Sequence, residues 1–338
     1  MKYCALLRPH ANSRYQAETL KLARAELYAL LEKGGCAAEV AVESRAGVDW
    51  LAFEAPRLEE RQARLIGAAA HLYVLFEEEN GALRPAAGQN PAYLGDDLPL
   101  VLKYKGKTNE TFTSFMLNLA LCASGYDETD GPLAVLDPMC GRGTTAFAAL
   151  NRGWNALGFD VDAGAVDEAV KYFKRYLEYH RVKHAYVQKS MTAGGKQAAM
   201  LNVFEFAPTP EQFRAKDTRS LTMAALSAAG LGRIYRKPCC HLVVADLPYG
   251  VQHGPGGGKK SLSLEDMLYD ALPVWVDAMR TGGAMALSFN VNTLRPEMVR
   301  GMMAEAGLDV AEGAGYDGLA HWVEQAITRD VAVAVKRF

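Results

Sequence analysis

Two short stretches hold residue types suited to chemistry between a nucleophile and a donor. The first is Val135-Leu-Asp-Pro-Met-Cys-Gly-Arg-Gly-Thr-Thr-Ala146, where an apolar run ends at Asp137 and glycines follow at 141 and 143. A strand, a glycine turn and a helix from Thr144 would bring backbone amides, unobstructed by a Cβ, to the carboxyl edge of a sheet, where such folds take ligands. Nineteen residues after Gly141, the run Gly158-Phe-Asp160-Val161-Asp162 puts an acid at the tip of the next strand, where a ribose diol would be hydrogen-bonded. Gly141-x-Gly143-x-x-Ala146 with that acid also fits a dinucleotide-binding fingerprint. Asp137 argues against it, because an acid directly before the loop would receive the cationic amine of a methionine moiety but repel a pyrophosphate.

The second stretch is Val243-Val-Ala-Asp246-Leu-Pro-Tyr-Gly-Val251, which a dehydrogenase has no reason to own. An exocyclic amine is a weak nucleophile because its lone pair is delocalised into the ring. Two acceptors on its hydrogens help localise that pair toward a methyl donor, and the Asp246 carboxylate and Leu247 backbone carbonyl suit this role. Pro248 fixes the turn, and Tyr249 offers a face for base stacking, worth roughly 1–3 kcal/mol per base. Placed acceptors and alignment would then carry the catalysis with no metal required.

With these residues in view, the stretch 98–338 resembles a class I S-adenosylmethionine-dependent methyltransferase. It is similar in particular to the THUMP-associated tRNA guanosine methyltransferases that modify the 2-amino group. The matching pieces are Phe115-Met-Leu-Asn118-Leu-Ala120, Asp137-Pro-Met-Cys-Gly-Arg-Gly-Thr144 and Asp246-Leu-Pro-Tyr-Gly250, with the cofactor loop preceding the catalytic motif. The resemblance implies S-adenosylmethionine as cofactor, with Asp137, Gly141 and Gly143 at its methionine end, Asp160 at its ribose, and Asp246 between donor and acceptor. Pro138, Met139, Cys140, Thr144 and Val161 are expected to complete the cofactor contacts. Cys140 matters there for its small size rather than its reactivity. The family's usual Asp-Pro-Pro-Tyr carries Leu247 at its first proline; a backbone carbonyl role survives that change.

Further candidates for substrate contact are Thr108 and Asn109, ahead of the core, with a helix N-cap as the plainer reading. His253, Lys259 and Lys260 belong to a glycine-rich cationic loop that would close over phosphates or simply be a surface loop. Asn290 ends a strand near the expected pocket mouth. The implied activity is methyl transfer to an exocyclic amine in RNA, most specifically the 2-amino group of guanosine in tRNA. The rivals are a DNA adenine or cytosine amino-methyltransferase, methylation of a glutamine side-chain amide, and a non-catalytic RNA-binding protein with a vestigial donor site.

The elements that must position these residues follow from composition and periodicity. The chain has 338 residues, 50% hydrophobic and 22% charged, which excludes a disordered, collagenous or disulfide-stapled protein. No window nears 18 uninterrupted apolar residues, the first residues lack a signal-peptide run, and the six cysteines form no CxxC pair or metal-ligand comb. A cytoplasmic protein with reduced thiols, no metal and no membrane is expected. The net charge of −2 hides a block, residues 171–260, with 15 Lys/Arg against 5 Asp/Glu, as a polyanion-facing surface would need.

The first 97 residues alternate strand and helix as βαββαβ: strands at 2–8, 38–43, 48–53 and 71–77, helices at 13–33 and 56–69. This predicts a small ferredoxin-like α+β domain, read as RNA-binding, with residues 80–97 as a linker or surface loop. From 98 on, strands at 133–136, 156–159, 186–189, 241–245, 284–289, 308–311 and 331–335 alternate with helices at 144–151 and 165–180. They predict a doubly wound, mostly parallel, seven-stranded sheet of Rossmann-like type. A basic, partly helical insertion is expected at about 192–238, between the third and fourth strands.

Overall fold

The structure, a computed structural model, describes residues 1–9, 13–100, 102, 108–193, 196–235, 237–248 and 263–337. The N-terminal elements are β1 (Lys2–Leu7), α1 (Ser13–Lys33), β2 (Ala41–Arg45), β3 (Val48–Glu54), α2 (Glu60–Gly67), β4 (Leu72–Glu79) and β5 (Ala82–Ala87). Their sheet is antiparallel throughout, in the order β2-β3-β1-β4-β5. Leu22, Ala23, Leu27, Leu30 and Leu31 form the buried stripe of α1 at helical spacing, and Gly35, at φ +67°, closes the helix.

Three boundaries differ from those expected. β2 begins at Ala41 because Val40 is tied to α1, its N–H donating to the Tyr28 hydroxyl and its carbonyl accepting from Arg24 Nε. α2 begins at Glu60 because the chain from Pro56 is held to β1: Leu58 N–H donates to the Tyr3 hydroxyl, which donates to the Pro56 carbonyl. The stretch read as a linker from residue 80 contains β5. Asn80 and Gly81, at φ +52° and +80°, form the two-residue turn that returns the chain beside β4.

The second set comprises α3 (Glu110–Ala123), β6 (Ala134–Asp137), α4 (Thr144–Asn151), β7 (Asn155–Asp160), α5 (Ala163–Tyr179), β8 (Lys183–Ala193), β9 (Lys196–Ala207), α6 (Pro210–Arg214) and β10 (Arg219–Ala225). It continues with β11 (Cys240–Asp246), α7 (Leu264–Ala278), β12 (Met279–Asn290), α8 (Pro296–Glu305), β13 (Asp309–Val310), β14 (His321–Glu324) and β15 (Ile327–Val335). They form a ten-stranded mixed sheet in the order β13-β15-β12-β11-β6-β7-β10-β9-β8, with β14 paired to β15. β10, β7, β6, β11 and β12 run parallel, while β15, β13 and β9 are antiparallel to their neighbours.

The strand expected at 186–189 therefore lies in β8, the outer arm of an edge hairpin, and not in the parallel set. The third parallel strand is β10, inside the expected insertion, which holds the strands β9 and β10 besides the short helix α6 and a 3-10 segment at Ala228–Arg233. β8 and β9 form a two-sided hairpin: Tyr186, Phe204 and Phe206 face one apolar cluster, while Ala199 and Leu201, of the other parity, face a second one, a period of two that suits strand and not helix.

Helix α3 joins the two sheets. Its Phe112, Phe115, Met116, Leu117, Leu119 and Leu121 are at most 1% exposed, each worth about 1.5–3 kcal/mol of burial. It packs on α1 from one side and on β11, β12 and β15 from the other, so one apolar cluster runs unbroken from the N-terminal sheet into the larger one. A buried polar chain registers the contact. Glu26 Oε1 of α1 accepts from Ala70 N–H at 2.9 Å and from Asn118 Nδ2 of α3 at 2.6 Å. Asn118 Nδ2 also donates to the Ala68 carbonyl, and its Oδ1 accepts from Arg152 Nη1 at 2.6 Å. Among the described residues no helix is long and apolar enough to cross a membrane.

Candidate active site

β6 is the switch point of the sheet: the chain leaves it for β7 and later β10 on one side and then crosses from β10 to β11 on the other, which opens a crevice at the carboxyl end of β6. Asp137 is the last residue of β6. It pairs in register with Gly158 of β7, so Asp160 lies two residues farther out. Val243 of β11 pairs with Leu136, so Asp246 also lies two residues beyond the level of Asp137. Two residues of strand rise roughly 7 Å. The result is a notch with one carboxyl at its floor and one on each wall.

The loop after β6 is shaped by its glycines. Gly141 (φ +49°) and Gly143 (φ +87°) are left-handed, and a Cβ on Gly143 would press on the Phe147 ring at 3.2 Å. Gly143 caps α4 with its backbone alone. Gly141 N–H donates to Asp160 Oδ2 at 2.7 Å, and Asp162 N–H to Asp160 Oδ1 at 2.8 Å, which fixes that carboxylate at the loop. Cys140 sits under the turn, where a Cβ on Gly158 would come within 3.1 Å of its sulfur. Burial pushes its thiol well above its ordinary range, so size and not reactivity is its contribution.

Asp137 is 4% exposed. Burial, more than any other cause, pushes its carboxyl up to about 7, and the charges of Asp160 and Asp246 add to the push. Bonds from the Thr145 side chain and from Met139 N–H at 3.1 Å only partly offset this. A cation seated in the notch would supply the missing charge and return Asp137 to carboxylate.

Asp246 is held from two directions. Thr108 Oγ1, just ahead of α3, donates to Asp246 Oδ2 at 2.5 Å. Arg329 of β15 faces the same oxygen, its Nη2 at 3.9 Å, with its guanidinium over the Phe112 ring at 4.2 Å from the centroid. Arg329 is 5% exposed and stands opposite Asn290 in the β12–β15 register. Sequence reasoning missed it. The available signal was a charged residue among the apolar ones of a strand, which needs a partner when buried.

Of the other expected residues, Leu247 is fully buried, its N–H donating to the Ser288 carbonyl, while Pro248 is exposed. Pro138 and Thr144 are buried, Met139 is half-buried and Val161 is 72% exposed. The Asn109 side chain caps α3, accepting from Thr111 N–H at 2.8 Å. The Asn290 amide is engaged by its own surroundings, Oδ1 accepting from Asn292 N–H and Nδ2 donating to the Ala326 carbonyl. Tyr249, His253, Lys259 and Lys260 lie outside the described residues. Cys4, Glu43 and Glu78, remote from the notch, have metal-ligand spacing, but Lys2 and Arg45 already pair with both carboxylates.

No family model matches the chain, and no curated protein does. Solved structures do. TrmN from Thermus thermophilus matches at 17% identity and a TM-score of 0.42, over 88% of this chain and 60% of that one. The Thermus thermophilus 16S rRNA N2 methyltransferase RsmC, in complex with AdoMet and guanosine, matches at 16% identity and a TM-score of 0.38, over 88% of this chain and 58% of that one. A TehB-like SAM-dependent methyltransferase from Corynebacterium glutamicum matches at 15% identity and a TM-score of 0.33, over 67% of this chain and 97% of that one. The chain thus spans about 60% of the length of the first two. The matched structures are S-adenosylmethionine-dependent methyltransferases. At these identities and scores they carry no argument about activity, which rests on the carboxyl edge itself.

Proposed function

We propose that this chain is an S-adenosylmethionine-dependent methyltransferase acting on an exocyclic amino group of a nucleobase in RNA, specifically the 2-amino group of guanosine in tRNA. The observation that carries the reading is the notch itself, with buried Asp137 at its floor and Asp160 and Asp246 two residues farther out on either wall. Its residues fit the donor. Asp137 would take the methionine ammonium, the amides and open face of the Gly141 turn would lie against the ligand, and Asp160, already fixed by two backbone N–H groups, has lone pairs left for a ribose diol. S-adenosylmethionine bound there supplies an electrophilic methyl group.

Asp246 then accepts a hydrogen bond from the amine to be methylated, with the Leu247 carbonyl as second acceptor. Thr108 and Arg329 limit where the Asp246 carboxylate can point, and acceptors fixed before the reaction need no reorganisation during it. In this reading residues 98–338 form the catalytic domain and residues 1–97 a ferredoxin-like companion. The basic block from 171 to 260 favours a polyanionic substrate.

The test incubates purified protein and isotope-labelled S-adenosylmethionine with total tRNA, ribosomal RNA and genomic DNA in parallel, followed by nucleoside mass spectrometry. Label on the guanosine 2-amino group in tRNA is the expected result. Label in DNA adenine or cytosine overturns the substrate, and no label in any pool overturns nucleobase methylation.

A further inference from the structure

At its carboxyl end, the strand that carries Asp246 is held from one side. β11 pairs with β6 through Leu242 and Val243, and with β12 as far as Asp246, which stands opposite Ser288. From Val244 onward, among the described residues, β12 is the one strand beside it, because the notch has opened on the β6 side. The last bond of that ladder is given by Leu247, whose N–H donates to the Ser288 carbonyl at 2.9 Å. It closes the rung just past Asp246 and fixes the peptide unit that joins Asp246 to Leu247.

Two further constraints act on the same residue. The Leu247 side chain is fully buried, in the apolar cluster that also holds Leu268, Phe289 and Leu294. Pro248 follows, and a proline ring forces the residue before it into the extended region, with ψ at roughly +120 to +160°. The N–H bond, the buried side chain and the following ring together leave the Leu247 carbonyl a narrow range of directions. Ser288 is 0% exposed, so the carbonyl that receives the bond is shut off from water and depends on a protein donor.

The resembling enzymes carry proline at this position, and a proline has no N–H to give. Resting on the reading of the Asp246 carboxylate and the Leu247 carbonyl as the two acceptors for the amine, we propose that Leu247 is a positioning residue, whose N–H, anchored on Ser288, holds both acceptors in place at the one-sided end of β11. A hydrogen bond to the neighbouring strand does here what ring stiffness would do at a proline. The competing account is that Leu247 only fills the core, and that Thr108 and Arg329 by themselves place the carboxylate.

The test uses the full chain in three versions besides the wild type. Leu247→Pro removes the N–H and adds the ring. An ester version, with the hydroxy-acid analogue of leucine at 247, removes the N–H and keeps the side chain. Leu268→Ala cuts a buried side chain from the same cluster and leaves the ladder intact. Each is assayed for methyl transfer to the nucleic acid that the wild type labels, with kcat, KM, S-adenosylmethionine affinity and melting temperature measured together. Hydrogen exchange at the Leu247 amide is followed in the wild type.

The ester should lower kcat about 3- to 10-fold and Leu247→Pro about 10- to 100-fold, the scale of losing one hydrogen bond and of stranding its buried acceptor. KM and donor affinity should stay within about twofold in both. Leu268→Ala should lower the melting temperature and leave kcat within about threefold of the wild type. The Leu247 amide should exchange at least about 100-fold more slowly than in an open chain.

Wild-type kcat in the ester version overturns the proposal, and so does an equal loss of kcat in Leu268→Ala, which would make packing the cause. A loss carried by KM or donor affinity with kcat intact overturns it too, as does fast exchange at the Leu247 amide. Failure of the underlying reading looks different: the wild type itself labels no nucleic acid while the amide stays protected, and the bond to Ser288 is then purely structural. Should Leu247→Pro fail to fold, the ester version decides alone.

Discussion

Glu26 and Asp137 are both buried carboxyl groups, and they are treated in opposite ways. Burial pushes Glu26 of α1 up, but bonds from the His71 ring, Ala70 N–H and Asn118 Nδ2 outweigh it and leave the group below the ordinary carboxylate range. Asp137 meets the same burial with fewer donors and two more acids at hand, and ends at about 7. The Glu26 region is complete within the chain. The Asp137 region leaves its carboxyl with few donors at the carboxyl edge of the sheet, where the proposed donor site lies.

Breaking the complete side should have the largest effect. Glu26→Ala strands the Asn118–Arg152 chain in the core, with the Arg152 guanidinium already disfavoured by burial. Removing one partner from such a network costs about 3–5 kcal/mol. Urea unfolding should show this as a lower midpoint, while donor affinity of the folded variant stays near that of the wild type. A loss under about 1 kcal/mol would mean the network does not bind the two sheets together.

Breaking the open side at Asp246 should do the reverse. Asp246→Ala should lower methyl transfer by about 10²- to 10³-fold, on the scale of losing one fixed hydrogen-bonding group in an active site. Donor affinity and unfolding should change little. Full activity in this variant would rule out Asp246 as the acceptor that orients the amine.

Asp137→Asn sharpens the comparison through pH. The folded protein holds the Asp137 proton up to about 7, while the unfolded chain releases it near 3.8. The native state thus binds more protons in between, and wild-type stability declines as pH rises from about 4 to 7. The variant lacks that decline, so above pH 7 it should be the more stable protein, by about 1–3 kcal/mol. Its donor affinity should fall and lose its pH dependence, whereas wild-type affinity should weaken as pH drops below about 7. Calorimetric donor titrations at pH 6, 7 and 8, with melting curves, measure both effects. A parallel pH dependence in the two proteins would show that Asp137 does not take the ammonium.

The legible parts of this molecule were those whose cause is local. The loop from Asp137 to Thr144 and the acid at Asp160 could be placed from a strand, two glycines and a helix start within thirty residues, and β6, α4, β7 and β11 came within a residue or two. Asn80-Gly81 carried a hairpin signal that the proline- and glycine-rich stretch after it obscured. What could not be read was long-range. Nothing near Glu26 points to Asn118, 92 positions on, and nothing near Asp246 points to Thr108, 138 positions earlier. The edge hairpin was hidden for another reason: its strands sit at the margin of the sheet, half solvated and basic, and so resemble an insertion in composition.

The cluster shared by the two sheets bears on how this polypeptide is made. The ribosome delivers the N-terminal strands first, with Glu26 able to meet His71 and Ala70 at once. Asn118 and Arg152, and the greasy flank of α3 that roofs α1, arrive tens of residues later. At 5–20 residues per second that is an interval of several seconds. Through it the nascent chain carries an unroofed helix, a natural landing place for a chaperone.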